Sequence, residues 1–159
     1  MPIKSFRGLI ADGGIDTISL HTNNGSTGYR IVKFQLMGHN PGDSSLGSYE
    51  HVVQIFKIPQ TTASATVNFS DNTLLAAGLC FGNTSPQFND TTSILFDNEI
   101  FNQDIFITHV DEDSATPVNY YIELEQIKLD LNENTVATLK DIRNIASQWA
   151  NNITWIKKQ

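Results

Sequence analysis

Between Val118 and Asn144 the hydrophobic period of the chain changes once, from two to about 3.6. Val118, Tyr120, Ile122 and Leu124 alternate with polar residues, as a half-buried strand requires. From Val136 the apolar residues recur at Leu139, Ile142, Ala146, Trp149, Ile153 and Ile156, the stripe of an amphipathic helix. A long β region therefore ends here and a helix follows it. Asn132 and Asn134 are both good N-caps for that helix, and Glu133 suits the positive end of its dipole.

Upstream, short alternating runs follow one another with turn residues between them. Strands are expected at residues 16–21, 29–37, 51–58, 66–69, 74–81, 92–96, 104–110 and 118–131. Asn24-Gly25 tolerates positive φ at both positions, which predicts that the first two of these strands pair as a hairpin. Pro59 ends the third, because it cannot donate to a ladder. The expected fold is mainly β: an antiparallel β-sandwich, jelly-roll-like, over residues 1–131, closed by a helix and tail over residues 132–159 that belong to the same domain or to an intersubunit contact. Val32, Phe34, Leu36, Ile105, Ile107, Ile122 and Leu124 are its expected core. After Leu124 the next apolar residue is Ile127, a three-residue step that either a β-bulge near Glu125-Gln126 or a crossing of the strand from one packing partner to another would explain.

Composition narrows the function classes. At 159 residues the chain fits one domain. Charged residues make up 17%, below the roughly 25% usual for soluble domains, and Asn, Thr and Ser fill the difference. Such a surface suits contact with other protein copies, since little charge must be desolvated. The net charge of −7 and scattered Lys and Arg argue against a nucleic-acid partner. No apolar run is long enough to span a bilayer as a helix, and the N-terminal MPIKSFRGLIADGG lacks a signal-peptide core, so no membrane partner and no secretory export are expected. Cys80, the single cysteine, lies in LLAAGLCF and reads as a small buried residue. Stability must come from packing or assembly.

Several groupings could carry chemistry. Glu123 and Glu125 share an outward strand face with Tyr121 and Asn119, about 6.5–7 Å apart, a separation that some glycosidases use; a solvated strand face is the simpler reading. His21, His39, His51 and His109 show no metal-ligand spacing. His109 and Asp111 share one strand face, but no GxSxG-type elbow accompanies them. Asp111-Glu112-Asp113 reads as a solvated turn ahead of a calcium loop. Asp12-Gly13-Gly14 has no helix pattern after it to make a phosphate loop. No catalytic residue, metal or cofactor is expected.

Two stretches, IADGGIDTISLHTNNGSTGYRIVKFQLM (residues 10–37) and FDNEIFNQDIFITHVDEDSATPVNYYIELEQIKLDLNENTVATLKDIRN (residues 96–144), resemble small virion structural proteins of marine tailed bacteriophages, such as those of cyanobacteria and other abundant ocean bacteria. The resemblance covers about half the chain and carries over no catalytic residue. It implies a non-enzymatic virion protein, made in the host cytoplasm, that decorates or cements the capsid beside partners such as the major capsid protein. A tail- or fibre-associated or carbohydrate-binding sandwich is the alternative. Trp149 continues the helix stripe and reads as helix core, whereas Trp155 falls off that stripe. Trp149, Ile153, Trp155 and Ile156 place two tryptophans and two isoleucines in the last eleven residues. A segment so apolar should dock, either on its own sandwich or, as the preferred reading for Trp155 and Ile156, across the boundary of a symmetric homo-oligomer, with a trimer as one form of it.

Overall fold

The computed structural model describes residues 2–20, 25–43, 45, 47–84, 87–130, 144–146 and 148–149. Eight strands are described: β1 (Ile3–Ile10), β2 (Ile15–Ile18), β3 (Thr27–Gly38), β4 (Ser48–Phe56), β5 (Leu74–Thr84), β6 (Gln87–Leu95), β7 (Ile105–Asp111) and β8 (Val118–Lys128). They form two antiparallel sheets, a smaller one in the order β1-β8-β3 and a larger one in the order β2-β7-β4-β5-β6. This is the mainly β, antiparallel sandwich that the alternation predicts.

The alternation also decides what lies between the sheets. From the smaller sheet come Tyr29, Ile31, Phe34, Leu36, Val118, Tyr120, Ile122 and Leu124, and from the larger Val53, Ile55, Ile105 and Ile107. Gly78 of β5 lets the layers approach each other. A Cβ there would lie 2.8 Å from Leu36 Cδ1 and 2.9 Å from Phe34 Cε1, inside ordinary contact. Six of the seven expected core residues are buried, and Val32 is not, at 36% exposure. The cause is a bulge between Ile31 and Lys33, where Val32 has no partner on β8 and the side-chain phase of β3 resets. The bulge thus sits on β3. On β8 the register runs unbroken past the expected position, pairing Glu125 with Arg30 and Gln126 with Tyr29.

Three further expectations change. β2 and β3 do not form a hairpin: β2 pairs with β7 and β3 with β8, in different sheets. β1, whose apolar residues Ile3, Phe6 and Leu9 step by three and so disguise it, pairs along its whole length with β8. Residues 66–69 form no strand. They belong instead to an irregular segment over the outer face of the larger sheet, held by the Gln54 amide, which donates to the carbonyls of Ser64 (2.8 Å) and Thr66 (3.1 Å).

The pairing is nested. β1 bonds to β8, β2 to β7 and β4 to β5. β3 and β6 lie side by side, the Ser93 hydroxyl donating to the Phe34 carbonyl at 3.1 Å. Residues 144–146 and 148–149 are helical. Among these residues Asn144 is buried, while Ala146 and Trp149 face outward, Trp149 at 66% exposure. Trp149 is therefore not a core residue of this subunit. The expected helix start near residue 133 and Ile153, Trp155 and Ile156 lie outside the described residues.

Candidate functional site

The densest group of polar side chains lies inside the sandwich at one end. β4 turns Tyr49 and His51 inward, and β7 turns His109 and Asp111 inward, because alternate residues of each strand share a face. The register sets His51 opposite Asp111 and Val53 opposite His109. Both imidazoles are fully buried. His51 Nδ1 is 2.9 Å from His109 Nε2, and His109 Nδ1 is 3.0 Å from the Ala11 carbonyl.

Those contacts fix the protons. A carbonyl oxygen can only accept, so His109 carries its hydrogen on Nδ1 and offers a lone pair at Nε2. His51 must then donate from Nδ1. Its own Nε2 is left as a buried lone pair without a hydrogen-bond partner. Burial pushes the His51 pKa down to about 4, with the nearby His109 acting in the same direction and Asp111 and Asp12 acting against it. Neutral at ordinary pH, His51 makes no ion pair with Asp111, although its Nδ1 lies 3.8 Å from the carboxylate. The Tyr49 ring stacks on it at 5.0 Å, and the Tyr49 hydroxyl donates to Asn89 at 2.6 Å.

Asp111 is a hub. Its Oδ1 accepts from the amides of Glu50 (3.1 Å), Asp113 (3.1 Å) and Ser114 (3.3 Å). Its Oδ2 accepts from the Thr116 amide (2.9 Å) and hydroxyl (2.8 Å). Burial opposes the charge, but these donors outweigh it and hold the carboxyl well below the usual carboxylate range. The Asp111 amide in turn donates to Asp12 Oδ1 at 2.8 Å. With its lone pairs turned onto protein donors, Asp111 is a loop organiser and a poor calcium ligand. Gly13 and Gly14 form a tight turn between β1 and β2, with Gly13 at φ 72° and its amide on the His109 carbonyl at 2.9 Å. The Gly14 amide donates to the Ala11 carbonyl at 2.9 Å, so both glycine amides bind protein, not phosphate. The whole cluster staples the β1–β2 turn, β4, β7 and the 112–117 loop together.

On the outer face of the smaller sheet, Asn119, Tyr121, Glu123 and Glu125 do form one row, as the spacing predicts. Both carboxylates are engaged. Glu123 lies 3.4 Å from Lys33 Nζ and accepts from the Tyr121 hydroxyl at 2.8 Å, and Glu125 pairs with Arg30. Neither is set up as a buried general acid. Beside them a shallow, open hollow of about 620 Å³ is lined by Arg7, Gln35, Met37, Asn119 and Tyr121 among others. Cys80 is buried, and desolvation raises its thiol pKa against the Thr91 and Gly38 hydrogen bonds, so it is an inert packing residue as expected. His39 is exposed. No group of three or more His, Cys, Asp or Glu among the described residues could hold a metal ion.

Sequence reasoning placed His109 with Asp111 but not His51 with them. The signal was there: both histidines occupy inward positions of apolar strands, where a polar group needs an internal partner. No family model matches the chain, and no curated protein matches it either.

Proposed function

We propose that this chain is a non-enzymatic structural protein of a bacteriophage virion, with the capsid surface ahead of the tail as its position. The observation that carries the reading is the nested strand pairing, β1 with β8, β2 with β7 and β4 with β5, with β3 lying against β6. Such nesting supports a jelly roll whose third pair is open, an architecture that recurs in capsid and lectin domains. Support at this level is by analogy of fold. The polar cluster adds to it: His51, His109 and Asp111 are buried, and Asp111 is spent on holding loop amides. The two carboxylates of the outer row are paired with cations. In this reading the subunit assembles with itself and meets other virion proteins, such as the major capsid protein, through neutral loops.

Mass spectrometry of purified particles, with an image locating the protein, tests this. Detection at stoichiometric copy number on the head is the expected result, and absence from particles refutes it. Reproducible turnover of a glycan, peptide or phosphoester, abolished by one side-chain change, would equally overturn it. A carbohydrate-binding role is favoured by one feature, the open hollow that sets the Tyr121 ring beside Arg7, Gln35 and Asn119. Glycan-array binding lost in Tyr121→Ala is the result that would select it.

A further inference from the structure

β1 is an edge strand of eight residues with β8 on one side and, among the described residues, nothing paired on the other. The Pro2 carbonyl accepts from the Gln126 amide at 2.9 Å, which fixes the phase of the ladder. In an antiparallel pair alternate residues bond inward, so Lys4, Phe6, Gly8 and Ile10 spend their backbone groups on β8. Ile3, Ser5, Arg7 and Leu9 direct theirs away from it. Their side chains all point to the outer face, where Ile3 is 52% and Leu9 48% exposed. The other edges differ. β2 has four residues, and β3 and β6 lie against each other.

We propose that β1 is a self-assembly edge, and that its occupant is β1 of a second copy, paired antiparallel about a two-fold axis through Phe6. Symmetry leaves few registers to compare, and only a residue-centred one keeps the core faces of both copies on the same side. Centred on Phe6, Ile3 faces Leu9 of the second copy and Ser5 faces its Arg7. All four outward residues then exchange both backbone groups, and the two exposed apolar side chains cover each other. Centred on Arg7, like charges would oppose one another. Centred on Ser5, Leu9 would lie beyond the partner's strand. Lys4 is an inward-pointing charge of the kind that guards sheet edges. In the Phe6 register it faces Gly8 of the second copy, which has no side chain to obstruct it. Lys4 Nζ already sits 5.7 Å from the Tyr29 ring centroid of its own subunit. The product is a continuous six-stranded sheet, β3-β8-β1 continued by β1-β8-β3 of the second copy.

The test is sedimentation velocity of the pure full chain at about 100 µM, where modest affinity suffices to populate pairs. The expected result is a species of twice the 17.7 kDa chain mass. Ser5→Pro removes an N–H that the fold does not use, so it should give a folded monomer with an unchanged circular dichroism spectrum. Ile3→Lys with Leu9→Lys sets like charges opposite each other on exposed positions and should do the same, weakening association at least tenfold. Ile3→Lys with Leu9→Glu sets opposite charges there and should restore it. A monomeric wild type overturns the proposal, and so does an assembly that survives both Ser5→Pro and the double-lysine variant. Neither result decides whether the chain is a virion protein, which particle composition tests separately.

Discussion

Acid should destabilise this protein in a window set by His51. Its folded pKa of about 4 lies below the ordinary 6.5, so between those values the unfolded chain binds a proton that the folded chain refuses. Stability contributed by the neutral imidazole is therefore complete at neutral pH and is lost as pH falls. Linkage gives a loss of roughly 2 kcal/mol by about pH 5 and roughly 3 kcal/mol by about pH 4. Asp111 acts in a lower window, since its pKa is depressed and its contribution fades only as pH drops below the usual carboxylate range. The assay is urea unfolding of the wild type and His51→Gln from pH 7.5 down to 4.5. Glutamine can still donate to His109 Nε2 but does not titrate there. It should cost about 1 kcal/mol at neutral pH, the usual worth of one disturbed hydrogen bond. Its stability should then fall more slowly with acid, so that the two curves cross and the variant is the more stable by about 1 kcal/mol near pH 5. Parallel curves would refute the claim that His51 is the refused proton.

Three further outcomes follow from the packing. Asp111→Ala strands the amides of Glu50, Asp113, Ser114 and Thr116 and should cost about 3 kcal/mol or more, with Asp111→Asn milder because one acceptor oxygen remains; thermal melts separate them. Gly78→Ala puts a methyl into Leu36 and Phe34 and should cost about 1–3 kcal/mol by urea titration, whereas a neutral result would mean that the sheets are not in close contact there. Phe34→Ala should cost about 3–5 kcal/mol while Val32→Ala stays within about 0.5 kcal/mol, a contrast that checks the bulge by chemical denaturation.

Where burial is strict on one face, the chain was legible. Phe34 and Leu36, Ile105 and Ile107, and Ile122 and Leu124 announce their strands by period two, and all are buried. Local signals were misleading where tertiary packing overrides them. Asn24-Gly25 is a strong hairpin signal, yet the flanking strands go to different sheets, because each finds a better partner 80 or more residues away. Val32 keeps the alternation on paper, but the bulge breaks it, and no residue type in that stretch marks a bulge. β1 was hidden because both of its faces carry apolar residues, Phe6 and Ile10 inside, Ile3 and Leu9 outside. The His51–His109 contact spans 58 residues and depends on the β4–β7 register, which no local pattern encodes. The outward-facing Trp149 shows the same limit: a helical stripe predicts an apolar face but not what covers it.

β8 lies between β1 and β3 and is the last strand described. During synthesis the larger sheet can begin to assemble as soon as β4, β5 and β6 have left the ribosome, because hairpins need only neighbouring sequence. β1 and β3 cannot. They wait as unmated strands until residues 118–128 emerge, and then a single insertion zips both at once. A chain interrupted before Val118 would carry two orphan strands and expose the apolar faces of Phe34, Leu36 and Ile10, the kind of surface that aggregates or recruits chaperones. Translation pauses upstream of this strand should therefore lower soluble yield, while pauses after it should not.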